Sequence, residues 1–105
     1  MLENIVYLEL KRRGYQVSVG RVGENEIDFV AERHGRIQYI QVAYLLPTKK
    51  TLEREMAPLL AVQDNYPKLL LTLDQTMGND YKGVQRLYLP EWLLSQRGDL
   101  DESSS

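Results

Sequence analysis

The sequence lacks cysteine, has a single histidine and carries no excess of positive charge. Without cysteine the chain cannot form disulfides or thiolate metal sites. Its 13 basic and 15 acidic side chains give a formal net charge of -2, so no overall positive field draws it to nucleic acid. No apolar run is long enough to cross a bilayer and no secretion signal opens the chain. We therefore expect a cytoplasmic protein that does not contact membranes.

The length of the chain limits it to one folded unit. At 105 residues it can bury one hydrophobic core but not two. We expect residues 1–97 to form a single domain and the acidic, serine-rich residues 98–105 to be disordered. The first predicted helix begins almost at Met1, which is how a domain excised from a longer protein looks.

The stretch from Glu26 to Ala43 predicts a β-hairpin around which the rest of the domain is arranged. Two runs rich in β-branched and aromatic residues flank His34-Gly35, whose glycine tolerates the positive φ of a tight two-residue turn. His34 is expected to be a surface residue at the tip. Counting back along both strands gives the predicted cross-strand pairs, which are Phe29 with Ile40, Asp28 with Gln41, and Ile27 with Val42.

This register has a chemical consequence. Residues directly opposite each other in an antiparallel pair point to the same side of the sheet, with Cβ atoms roughly 5 Å apart. Asp28 and Gln41 therefore form a predicted carboxylate-amide pair beside Ala43. A register shifted by one residue would turn one strand's apolar set toward water.

Hydrophobic periodicity and turn residues predict the remaining elements. Before the hairpin they are a helix from Leu2 to Arg13 and a strand from Tyr15 to Val19, followed by turns at Gly20 and residues 23–25. After the hairpin comes a helix that begins at the N-cap Thr48 and that Pro58 kinks or divides. The rest of the chain gives strands at 68–73 and 84–89, a polar surface loop at 75–83 and a short helix opened by Pro90. A helix between the third and fourth strands suggests a crossover to a parallel neighbour. The order predicts an α/β sandwich with a mixed sheet.

Three polar residues on these elements resemble the PD-(D/E)XK nuclease superfamily. That family's frame is a helix, a three-stranded meander, a helix and a strand. It carries a Glu on the helix, an Asp on the second strand, and a Glu or Gln followed two residues later by Lys on the third. The matching residues here are Glu3, Asp28 and Gln41, and Ala43 stands where the lysine would be.

Two longer segments, residues 26–31 (EIDFVA) and 39–43 (YIQVA), look specifically like the carboxyl-terminal domain of a group of prokaryotic AAA-type ATPases. Residues 2–4 and the run Asp64-Asn65-Tyr66-Pro67-Lys68 have the look of the same domain. The resemblance extends from Leu2 to about Leu94. It implies a restriction-endonuclease-like three-layer sandwich but no established activity.

The resemblance also implies a candidate site. In such nucleases, oxygen ligands hold Mg²⁺ and an ammonium group favours hydroxide at the attacking water. Glu3 and Asp28 would be carboxylate ligands and Gln41 a neutral one, whereas Ala43 removes the ammonium. Loss of one such positioned group typically costs ~10²–10⁴ in rate. The cations that could replace it are Lys11, Lys49, Lys50 and Arg54.

Several functions stay open at this point. The preferred one is an accessory, non-enzymatic module of an AAA-type ATPase with a degenerate nuclease-like site, which contacts its own ATPase domain, a second copy or another protein. One alternative is a magnesium-dependent nuclease acting on DNA, and another is a nucleic-acid-binding module that does not cleave and uses Lys49 and Lys50. The polar trio also has a purely structural explanation, in which Asp28 and Gln41 hydrogen-bond across the strands and Glu3 accepts from Gln41 or Tyr7.

Overall fold

The computed structural model describes residues 1–75 and 80–95. The helices there are α1 (Leu2–Arg12), α2 (Lys49–Leu60) and α3 (Leu89–Leu94), and the strands are β1 (Gln16–Val22), β2 (Asn25–Arg33), β3 (Arg36–Ala43), β4 (Lys68–Thr72), β5 (Asp80–Tyr81) and β6 (Val84–Tyr88). The tail predicted at 98–105 lies outside the described residues.

The described strands form one mixed six-stranded sheet in the order β1-β2-β3-β4-β6-β5. Strands β1, β2 and β3 are antiparallel neighbours, as are β5 and β6. Strands β3, β4 and β6 run parallel to one another. The α/β class, the mixed sheet and the parallel crossover through α2 are therefore confirmed.

The β2–β3 hairpin has the predicted two-residue turn. His34 and Gly35 both have positive φ, 55° and 78°, and Arg33 faces Arg36 across the turn. Both central residues of a type I′ turn need positive φ, and this turn matches the twist of the flanking strands. The β2–β3 register continues to Phe29 opposite Ile40, as expected. The Lys82-Gly83 turn between β5 and β6 has the same positive-φ pattern.

Two sequence predictions in the first half of the sheet are wrong. Strand β1 does not end at Val19 but continues through Gly20 to Val22, because Gly20 allows a close approach to β2 rather than a turn. Ile27 does not share a face with Val42. Ile27 packs with α2 residues, whereas Val42 packs with α1 residues, because an extra residue in β2 changes the strand's alternation.

The core has two parts, one on each side of the sheet. Neighbouring residues of β3 alternate between them, since successive side chains of a strand point to opposite faces. One cluster contains Ile40 and Val42 with residues of α1 and α3; the other contains Ala43 with Met56 and Leu59 of α2. Helices thus cover both faces, which makes the fold a three-layer sandwich.

Helix α2 begins as predicted and is not divided at Pro58. The Thr48 hydroxyl oxygen accepts a hydrogen bond from the Thr51 N–H at 3.1 Å, which caps the helix. Pro58 is buried within the same helix and does not start a second segment. The predicted 75–83 loop contains β5, and its residues 76–79 lie outside the described ranges. None of the described helices has the length and apolar character that a membrane crossing requires.

Candidate functional site

The candidate site lies where β2 and β3 part. Their pairing ends at Phe29 and Ile40. Beyond this point β2 continues beside β1, with Ile27 opposite Gly20, while β3 continues beside β4, with Gln41 opposite Leu70. Backbone groups between the separating strands lose their regular partners, and buried unpaired groups are costly.

A β-bulge in β2 produces this separation. Ser18 pairs with Val30 and Gly20 pairs with Ile27, so Val19 alone faces the two residues Asp28 and Phe29. A bulge of this kind inserts one residue into one strand and bends it. Here it turns Ile27 toward β1 and α2, and Asp28 is left at the parting of the strands.

Gly20 makes the bulge possible. A Cβ at this position would lie 2.7 Å from Cγ2 of Val30 and 3.2 Å from Cβ of Ile27. No side chain fits there without displacing its neighbours. The glycine that the sequence suggested as a turn residue is therefore a packing requirement inside β1.

Side chains replace the lost backbone partners at the parting. The N–H of Asp28 donates to Oε1 of Gln41 at 2.9 Å. The N–H of Val42 donates to Oδ2 of Asp28, also at 2.9 Å. The predicted carboxylate-amide pair is thus brought together, and each member satisfies a backbone N–H that would otherwise be unpaired. The hydrogen bond across the strands that the structural explanation expected between Asp28 and Gln41 is therefore found, with a backbone N–H as its donor.

The charges around Asp28 are unfavourable for its ionised form. Burial is the largest cause that raises the pKa of Asp28 above its ordinary value. The hydrogen bond from the Val42 N–H acts in the opposite direction, and the carboxylates of Glu3 and Glu26 raise the pKa further. Within the described ranges, the charged groups that shift this pKa are both anionic. The cations at Lys11, Lys49, Lys50 and Arg54 are not among them.

Glu3 lies close enough to interact electrostatically with Asp28, so the structure places these two predicted site residues in one corner. Its side chain is 45% exposed, and Oε1 lies 3.3 Å from the N-terminal ammonium. Of the predicted hydrogen bonds from Gln41 or Tyr7 to Glu3, neither is found in the described part of the chain. Tyr7 packs instead against Phe29, with ring centroids 6.4 Å apart.

Gln41 and Ala43 are both buried. Gln41 is 7% exposed, its oxygen is used by Asp28, and its amide nitrogen has no hydrogen-bond partner among residues 1–75 and 80–95. Ala43, 6% exposed, packs in the apolar cluster under α2. A core methyl group therefore occupies the position that the resemblance to PD-(D/E)XK nucleases matches with a lysine.

The residues present do not readily fit a magnesium ion. Mg²⁺ prefers near-octahedral oxygen coordination. The oxygen of Gln41 and one oxygen of Asp28 already accept from backbone N–H groups. No group of three or more Asp, Glu or His side chains in the described part of the chain is arranged to hold a metal. Metal binding at Glu3, Asp28 and Gln41 stays a prediction.

A second polar cluster explains the Asp64–Lys68 motif. The Tyr39 hydroxyl donates to Oδ2 of Asp64 at 2.6 Å, and the Tyr66 N–H donates to Oδ1 at 2.9 Å. Nζ of Lys68 donates to the carbonyl oxygens of Asp64 and Tyr66 at 2.8 and 3.0 Å. The Tyr39 N–H donates to the carbonyl of Pro67, which fixes the loop to β3.

These contacts change two pKa values. The hydrogen bond to Asp64 is the largest cause that raises the pKa of Tyr39 to about 12. Burial acts to raise the pKa of Asp64, but hydrogen bonds from Tyr39, Tyr66 and Lys68 outweigh it and lower that pKa.

The loop also lines a groove of about 380 Å³ between the end of α2 and the Lys82-Gly83 turn. Sequence reasoning identified the motif in this loop but not its partner Tyr39, which lies 25 positions away from Asp64.

Comparison with known proteins adds one relative. No family model matches the chain. An uncharacterized protein of Haemophilus influenzae is 42% identical over 93 residues, which cover 89% of this chain and 22% of that protein. The chain thus spans about a fifth of the length of the relative it matches. A segment like this one therefore occurs within a considerably longer protein.

Proposed function

We propose that this chain is the accessory carboxyl-terminal domain of an AAA-type ATPase and acts in protein interaction or regulation. The proposal assumes a restriction-endonuclease-like fold in which the nuclease-like site no longer catalyses cleavage. One observation carries it: Asp28 and Gln41 accept backbone N–H groups at the parting of β2 and β3. Side chains occupied in this way maintain the scaffold without requiring catalysis.

Two further features support the loss of cleavage. Ala43 is buried under α2 and supplies no ammonium. The charged groups that shift the pKa of Asp28 within the described residues are the anions Glu3 and Glu26. An attacking hydroxide would need a cation close to these carboxylates, because they would otherwise repel it. The length of the H. influenzae relative is consistent with a domain that works within a larger chain.

The competing proposal is a magnesium-dependent nuclease. It is favoured by the closeness of Glu3 to Asp28, since two carboxylates in one corner are a usual start of a divalent-ion site. A nucleic-acid-binding module without cleavage is a third candidate. The exposed Lys49 and Lys50 at the start of α2 would serve it, against a net charge of -2.

Titration with Mg²⁺ and Mn²⁺ separates these functions. Amide chemical shifts of Asp28 and Gln41 should not change in a saturable way, and plasmid and branched DNA should stay intact. The matched control is Asp28→Asn, which keeps an oxygen acceptor for the Val42 N–H but removes the charge. Metal-dependent cleavage that is lost in Asp28→Asn would overturn the proposal in favour of the nuclease. A salt-dependent DNA affinity that falls when Lys49 and Lys50 are replaced would favour the third candidate.

The ATPase context has its own test. The reading frame upstream of this domain is expected to encode a Walker-type phosphate loop. Removal of the domain from that longer chain should change its ATP hydrolysis or its assembly. If no nucleotide-binding region precedes the domain, the accessory role would be excluded.

A further inference from the structure

Strand β1 ends the sheet on one side with an open edge. It is seven residues long, and no described strand lies beyond it. The opposite edge is β5, which has two residues. A long edge strand presents unpaired N–H and C=O groups to any further strand.

The hairpin geometry identifies which backbone groups face outward. Val22 and Asn25 close a two-residue loop, so their backbones are paired with each other. Antiparallel strands alternate between hydrogen-bonded and non-hydrogen-bonded pairs. Ser18, Gly20 and Val22 thus face β2, whereas Val17, Val19 and Arg21 direct their N–H and C=O groups away from the sheet.

The edge has little of the usual protection against pairing. Gln16–Val22 contains no proline and no lysine, and Arg21 is its single charged residue. Val19 is 68% exposed although it lies in the middle of the strand. An apolar side chain exposed at the centre of an open edge favours the addition of another strand.

The surface beside Val19 is acidic. Val19 faces the Asp28–Phe29 bulge, and Glu3 and Glu26 are close enough to Asp28 to raise its pKa. Glu26 pairs with Arg21 of its own chain and Glu3 with the N-terminal ammonium, so Asp28 is the carboxylate of this group that has no cationic partner in the described part of the chain. A basic side chain placed across Val19 would therefore gain favourable electrostatic energy there.

We propose that β1 pairs with β1 of a second copy of this chain, in an antiparallel register that sets Val19 of one copy opposite Arg21 of the other. The register is symmetric, because each Val19 then meets the other copy's Arg21. Each guanidinium lies across a Val19 side chain toward the acidic corner of Glu3 and Asp28. The sheet becomes continuous through both copies.

Charge selects this register over its neighbour. If Val19 faced Val19, each Arg21 would lie opposite Val17, whose own partner in β2 is Ala31. The guanidinium would then be two residues farther along β1 from the bulge and its carboxylates. The proposed dimer rests on the proposed function, because it names a second copy of the chain as the partner of the interaction module. Its own test does not depend on the outcome of the metal and DNA assays.

Sedimentation over a range of concentrations tests the pairing. We expect the 12.2 kDa chain to show a concentration-dependent equilibrium with a species of twice that mass. Val19→Lys places like charges at the edge and should weaken association about tenfold or more. The matched control is Leu8→Lys, since Leu8 is 64% exposed on α1 and should leave association unchanged.

A second pair of variants tests the cation. Arg21→Gln should weaken the association and make it less sensitive to salt. Its ion pair with Glu26 is exposed, so the fold should survive the change. Arg36→Gln makes the same change at the exposed tip of the β2–β3 hairpin and should have no effect.

Hydrogen exchange reports the register directly. The amides of Val19 and Arg21 should gain protection as the concentration rises, while that of Val17 should not. A chain that stays monomeric at all concentrations, a dimer unaffected by Val19→Lys, or protection that includes Val17 would each overturn the proposed pairing.

Discussion

Asp28 combines two opposing conditions at the scale of a single residue. Its carboxylate accepts the Val42 N–H at the parting of the strands, which holds it in place. Burial and the carboxylates of Glu3 and Glu26 raise its pKa. The hydrogen bond from the Val42 N–H stabilises the carboxylate in spite of this repulsion. It explains why an acidic residue occupies this position although no cation among the described residues shifts its pKa.

Substitution of Asp28 separates these two conditions. In Asp28→Ala the Val42 N–H loses its acceptor, and we expect the free energy of unfolding to fall by about 1–3 kcal/mol. Asp28→Asn keeps an acceptor of the same size and should stay close to the wild type. Urea unfolding of both variants measures the difference. If both variants lost the same free energy of unfolding, the charge of Asp28 rather than its hydrogen bond would be what stabilises the fold.

Tyr39 offers a measurement that depends on pH. Its pKa of about 12 lies above the ordinary value of 10.0, and the hydrogen bond to Asp64 is the main cause. Because folding raises this pKa, the stabilisation is fully present below pH 10 and is lost as the pH rises through about 12. Tyrosinate absorbance should show one of the seven tyrosines titrating late.

Two variants assign that late titration. Tyr39→Phe should remove it, and Asp64→Asn should lower the pKa of Tyr39, because the anion that opposes deprotonation is gone. A late-titrating tyrosine that persists in Tyr39→Phe would place the perturbed hydroxyl elsewhere.

At the scale of the element, Gly20 and the bulge opposite it shape β1 and β2. A methyl group at Gly20 would lie 2.7 Å from Cγ2 of Val30. Overpacking of this kind costs typically about 1–3 kcal/mol, and we expect Gly20→Ala to lose that much stability in thermal or urea unfolding.

A double-mutant cycle identifies the cause. Val30→Ala removes the clashing methyl, so the two changes together should cost less than the sum of their separate costs. If the two stability costs were strictly additive, Gly20→Ala would act by disturbing the backbone and not by a clash with the Val30 side chain.

Periodicity and turn chemistry predicted most elements because they are local signals. Helix α1, the His34-Gly35 turn and the cap at Thr48 each depend on residues within a few positions of one another. The continuation of β1 through Gly20 was missed because the need for glycine comes from Val30, a residue of another strand. The bulge was missed for the same reason, since an extra residue in β2 is defined only relative to β1.

The candidate site was predictable in part. The register brought Asp28 and Gln41 together, and the resemblance to PD-(D/E)XK nucleases singled out Glu3. The exact hydrogen bonds could not be foreseen, because they depend on where β2 and β3 part. The sequence alone suggested, through the resemblance to PD-(D/E)XK nucleases, that Ala43 stands at a lysine position, whereas its burial under α2 required the packed structure.

At the scale of the whole molecule, α1 and α3 are joined through Arg13. Its guanidinium lies 4.4 Å from the Trp92 ring centroid and donates to the Trp92 carbonyl at 2.7 Å. Trp92 is the single tryptophan of the chain and belongs to the cluster on the α1 side of the sheet. Contacts of this kind connect the two ends of the described chain through one shared core.

Tryptophan fluorescence should therefore follow the unfolding of the entire domain. We expect its transition to coincide with that of far-ultraviolet circular dichroism, as in a two-state domain. An earlier fluorescence change would show that α3 separates from the sheet first. Arg13→Ala should shift both transitions together.

The parallel centre of the sheet also sets the order in which the chain can fold. Strands β1, β2 and β3 meet through two short turns, whereas β4 reaches β3 only after the chain has passed through α2. Closing a longer loop costs more entropy and slows the contact that depends on it. We therefore expect the meander to assemble early and the docking of β4 onto β3 to limit the rate of folding.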